Sequence, residues 1–129
     1  MKFKDFNLRE QFWYIHPKLR KILGDLEYKC MKDYKTEITI TSLIREDDEH
    51  SVHYITFKRG ADVRSYDFTS DQIDEILMYL NTEYPYGDQI HLTAICHDTG
   101  LGRHFHLQVI ADGLNEPDPK GGTLGTVGS

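Results

Sequence analysis

Two stretches decide the fold: Gln89-Ile90-His91-Leu92-Thr93-Ala94-Ile95-Cys96-His97 and Arg103-His104-Phe105-His106-Leu107-Gln108-Val109-Ile110-Ala111. Each is short, apolar and bounded by turn-forming residues, which marks a strand rather than a helix. Between them, Asp98-Thr99-Gly100-Leu101-Gly102 is a natural hairpin connection. On the second strand His104 and His106 are two apart, so both imidazoles share one face while Phe105 points into the opposite layer. A turn centred on Gly100 sets His104 opposite Cys96 and His106 opposite Ala94, with Asp98 emerging on the same side as the His pair. A slip of one residue would reverse the faces.

Working outward, Thr36 to Ser42 alternates β-branched residues with period two, the pattern of a half-buried strand ending at Arg45. Glu46 to Glu49 reads as a charged loop, Tyr54 to Phe57 as a short strand and Arg59-Gly60 as a turn. Asp62 to Phe68 alternates again. Thr69 followed by Gln72 has the capping-box form, and Ile73, Ile76, Leu77 and Leu80 continue at helical spacing until Pro85 discourages helix at Tyr84. A first long helix is expected from Pro17 to about Tyr34, with Leu19, Ile22, Leu23, Leu26 and Cys30 on one face. His16 before Pro17 marks its start. Residues 1–15, with Asn7 as a candidate cap, form an arm or short helix. Residues 16–112 form the main domain and 113–129 a glycine- and proline-rich flexible tail. This order predicts an α+β domain with an antiparallel sheet and two main helices.

The bulk properties agree with one modest domain. The chain has 129 residues, 39% of them hydrophobic and 28% charged, a size that buries roughly 65–70% of the unfolded surface. A net charge of −6 argues against a general nucleic-acid footprint. No apolar run approaches the roughly 20 residues of a membrane helix. No h-region follows Met1-Lys2-Phe3-Lys4-Asp5, so no secretory signal is expected. Cytoplasmic residence follows as the expectation, with both cysteines free and structural. Seven histidines stand out, six of them between His50 and His106.

Thr41-Ser42-Leu43-Ile44-Arg45 at a strand end, then Ser51-Val52-His53, then Gly60-Ala61-Asp62, then His104-Phe105-His106 on a late strand resemble the zinc D-Ala-D-Ala carboxypeptidases and L-alanyl-D-glutamate endopeptidases. Their fold is shared with the hedgehog signalling domain and occurs in many phage endolysins. The matching stretches run from Thr41 to Val109, and their order on strands carries more than any single motif. The resemblance implies a hedgehog-like fold and one Zn²⁺ held by His53, Asp62 and His106, with water at an open fourth position. Two imidazoles and a carboxylate suit zinc, which lowers the pKa of its water toward about 7. It further implies Arg45 as the substrate-carboxylate contact, His104 as a transition-state partner, Ser51 as a support for His53, and Asp98 as general base. His53 to Asp62 spans nine residues where the family has seven, and Asp98 stands eight before His106.

The function implied is cleavage of a peptide bond in the bacterial peptidoglycan stem peptide, by a phage-related enzyme released by lysis or carried in a virion. The alternative is a non-catalytic virion structural or binding protein of the same fold, with a degenerate metal site and virion proteins as partners. Each residue also has a plainer reading: Arg45 as a strand terminus pairing with nearby acids, Asp62 as a turn residue, and the His pair as a solvated strand face. His91 and His97, lacking motif partners, read as structural.

Overall fold

The structure, a computed structural model, describes residues 1–44, 58–88, 90–98 and 102–111. Arg45, the acidic run 46–49, His53 and the strand expected at 54–57 lie outside the described residues, as do Gly100 and the tail. Among the described residues, five strands form one sheet: β1 (Lys2–Phe3), β2 (Thr39–Ser42), β3 (Gly60–Arg64), β4 (Ala94–Asp98) and β5 (Arg103–Gln108). Their order is β1-β2-β3-β5-β4. β2, β3, β5 and β4 are antiparallel neighbours, whereas β1 pairs parallel to β2. The sheet is therefore mixed rather than wholly antiparallel. The N-terminal arm supplies the parallel edge, its backbone bonded to Ile38 and Ile40.

Three α-helices accompany the sheet: α1 (Phe6–Gln11), α2 (Pro17–Tyr34) and α3 (Ser70–Glu83). A single 3₁₀ turn, Phe12–Tyr14, follows α1. Asp5, not Asn7, caps α1, its carboxylate accepting from the Leu8 N–H. α2 starts at Pro17, where the missing N–H costs nothing, and His16 Nδ1 accepts from the Lys18 N–H at 3.1 Å. It ends where Lys35 turns left-handed at φ 55° and its N–H returns to the Cys30 and Met31 carbonyls. α3 carries the full capping box: Gln72 N–H donates to Thr69 Oγ1, and the Thr69 N–H donates to Gln72 Oε1.

One core joins the two long helices to one sheet face. Leu19, Ile22, Leu23, Leu26 and Cys30 of α2 and Ile73, Ile76 and Leu80 of α3 meet Ile40, Val63, Ala94, Phe105 and Leu107. Each Leu, Ile, Val or Phe among them contributes roughly 1.5–3 kcal/mol on burial. The Cys30 thiol is fully buried, and burial pushes it up to about 12. Both cysteines are free. Strand boundaries differ from expectation in all four antiparallel strands, β5 stopping at Gln108 rather than Ala111. β2 begins at Thr39 rather than Thr36. β3 begins at Gly60, within the expected turn, and stops at Arg64, because the Phe68 N–H folds back to the Ser65 carbonyl. β4 begins at Ala94 rather than Gln89, since Asp88 gathers the backbone N–H groups of Ile90 and His91 into a turn. No helix of the described residues is long and apolar enough to cross a membrane.

Candidate functional site

The sheet face away from the helices carries the histidines, and strand register decides which ones. Asp98 pairs with Arg103, His97 with His104, Cys96 with Phe105, Ile95 with His106 and Ala94 with Leu107. The symmetric register expected about Gly100 is thus displaced by one residue. Two local causes are visible. Gly102 adopts φ 102°, open to glycine at no steric cost, and its N–H is held by the Asp98 carboxylate. The displaced register also sends Cys96 toward the core beside Phe105 instead of beneath the imidazoles. Two expectations are corrected by it. Asp98 does not join the His pair, because alternation directs it away from the face of His97 and His104. His97, read as structural, does join them.

On the neighbouring strand, Asp62 pairs with His106 and Arg64 with His104. A bulge between Ile40 and Ser42 sets Ser42 opposite Asp62, and Thr41 Oγ1 donates to the Asp62 carbonyl. Asp62 is only 4% exposed. Its Oδ1 lies 3.0 Å from His106 Nδ1 and its Oδ2 lies 3.7 Å from His104 Nε2. The His97 ring stands edge-on to His104 with centroids 4.7 Å apart, and 5.8 Å from His106. Burial, then the neighbouring His104 and His106, holds the His97 imidazolium below its ordinary range.

The hydrogen bonding of His106 bears directly on what the site holds. Gln108 Nε2 donates to the Leu92 carbonyl at 3.1 Å, which turns its Oε1 toward His106 Nε2 at 3.4 Å. The shorter contact, to a charged carboxylate, favours the ring proton on Nδ1, donating to Asp62 Oδ1, and leaves Nε2 beside the Gln108 oxygen. A metal ion held between Asp62 and His106 would take the place of that proton. A carboxylate and imidazoles are ligand types that zinc accepts. Among the described residues no three His, Cys, Asp or Glu side chains converge into a finished metal site; the expected ligand His53 and the expected Arg45 lie outside them.

Sequence reasoning missed His97, Gln108 and Arg64. For Gln108 the available signal was strand parity with His104 and His106, whereas His97 depended on the hairpin register. Among the described strand residues of this face, Asp62 is the only carboxylate. No protein-family model, curated protein or solved structure matches the chain.

Proposed function

We propose that the chain is a zinc-dependent peptidase acting on the peptidoglycan stem peptide, with Asp62, His106 and His53 as ligands. The observation that carries the reading is the His106 Nδ1–Asp62 Oδ1 pair, an imidazole and a buried carboxylate held 3.0 Å apart by the β3–β5 pairing. Zinc bound there would supply a water acidic enough to form hydroxide near neutral pH. Asp62, buried on a central strand, holds one carboxylate oxygen toward His106. Gln108 stands at the other ring nitrogen of His106 and helps orient it. His104, with Nε2 facing the same carboxylate, is placed to donate to a carbonyl oxygen as negative charge develops. With Asp98 directed from the other face, His97 beside His104 is the described side chain positioned to accept a proton. Arg45 keeps its role as the substrate-carboxylate contact.

The absence of a second carboxylate among the described strand residues of this face favours a second reading. In it the protein is a non-catalytic virion structural or binding component that keeps the metal for stability. Purified protein with zinc removed, then restored, tests both against isolated peptidoglycan. Zinc-dependent release of soluble peptide, abolished by His104→Ala with zinc content unchanged, supports the peptidase. Stoichiometric zinc without peptide release supports the second reading. Protein that takes up no zinc refutes both.

A further inference from the structure

A cleft of about 740 Å³ opens beside Asp62 and His104. Among the described residues Lys4, Arg64 and Arg103 line it, with Asp62 as the one carboxylate, although the protein carries a net charge of −6. Two lysines on α2 pair with acids, Lys21 with Asp25 and Lys29 with Asp33. Among the described residues Lys4, Arg64 and Arg103 have no such partner. Unneutralised cations gathered around one cleft repel one another and are stabilised when an anion enters.

The placement is built rather than incidental. Arg64 pairs with His104 across β3 and β5, so it stands one strand position along from the Asp62–His106 pair. Its guanidinium lies over the Tyr66 ring at 4.7 Å, which fixes the plane of the fork and leaves its N–H edge available. Arg103 pairs with Asp98 across β4 and β5 and so lines the cleft from the opposite sheet face to Arg64. The Lys4 backbone is anchored to the Ile40 carbonyl beside β2. Hydroxyls of Ser42 and Ser70 also line the cleft and offer neutral donors.

We propose that this cleft is an oxyanion subsite, in which Arg64, with Lys4 at its rim, binds a carboxylate or phosphate group of the substrate. It deepens the peptidase reading by naming the substrate feature recognised on the side of the site away from Gln108. The guanidinium fork takes two anionic oxygens in parallel hydrogen bonds, and Lys4 adds attraction from the rim.

The test is binding to zinc-free protein, so its outcome does not depend on the metal. N-acetyl-Ala-Glu, its fully amidated analogue and inorganic phosphate are titrated by calorimetry and by amide chemical shifts. Saturable binding of the dipeptide, at least about tenfold stronger than that of the amide, is expected, since charge-assisted bonds are about twice as strong as neutral ones. Arg64→Gln weakens it by about tenfold or more and Arg64→Lys restores part. Melting curves of both variants match the wild type because Arg64 is not in the core. Phosphate binding more tightly than the dipeptide at the same residues supports the subsite and assigns a phosphate ester as its source. Equal affinity for acid and amide, or binding indifferent to Arg64→Gln, overturns the proposal. Anion binding in a protein that never takes up zinc refutes the peptidase and leaves the subsite standing.

Discussion

Replacing Asp62 by Asn keeps the size and shape of a 4%-exposed side chain and removes the charge that faces His106 at 3.0 Å. An Asn oxygen still accepts from His106, so the metal-free fold should change little. With zinc the difference should be large. Loss of groups that merely orient metal ligands costs 10–100-fold in affinity, so loss of a charged ligand should cost at least about 100-fold. At zinc 100 times the wild-type Kd, binding stabilises the fold by about 2.7 kcal/mol; a variant 100-fold weaker is half saturated and gains about 0.4 kcal/mol. The difference of about 2.3 kcal/mol corresponds to about 7–12 °C in a chain of this length, at about 3–5 °C per kcal/mol. Thermal melts in zinc and in chelator, for both proteins, measure it without any need for turnover. A wild-type Tm indifferent to zinc, or an Asp62→Asn protein with the full zinc-dependent rise, would refute the assignment.

Three further outcomes follow from local structure. Thr69→Ala removes the oxygen that receives the Gln72 N–H and should destabilise the protein by about 1 kcal/mol in urea titrations. Asp88 is 11% exposed and accepts from the Ile90 and His91 N–H groups and the His91 ring. Asp88→Ala should therefore cost about 1–3 kcal/mol. Burial opposes the Asp88 charge, but these hydrogen bonds outweigh it and hold the carboxyl below its ordinary 3.8. The Asp88 contribution should accordingly be complete above that value and fade as pH falls through the lower folded one, a trend that paired wild-type and variant melts would show. Thiol labelling should modify Cys96 in the native protein and Cys30 only after denaturation, because Cys30 is fully buried and its thiol is pushed up to about 12. Native-state labelling of Cys30 at the rate of Cys96 would contradict the packing.

Legibility in the sequence followed the range of the interaction. α2 was readable to its ends because Pro17 and the Leu19–Cys30 stripe are local signals, and Thr69 with Gln72 announced α3. Asp62 and His106 were read as partners, and the sheet makes them cross-strand neighbours; their role toward a metal is the proposal. What depended on register was not readable. One residue of displacement in the β4–β5 hairpin moves Asp98 off the site face and His97 onto it, and nothing within either strand distinguishes the two registers strongly. The parallel pairing of Lys2 and Phe3 with Thr39 and Ile40 likewise has no periodicity in so short a strand.

The position of β5 has a consequence for how the protein is made. β5 is the last of the described strands in chain order, yet it lies between β3 and β4, so neither neighbour has its partner until residues 103–108 emerge from the ribosome. At about 5–20 residues per second, the interval between completing β3 and beginning β5 is about 2–8 s. Throughout it the inner edge of β3, with the Asp62 carboxylate on it, has no β5 to pair with, the condition in which unpaired strand edges recruit other chains. A buried acid on that edge is itself a deterrent to such pairing, so Asp62 would protect the growing chain before it has any partner to bind.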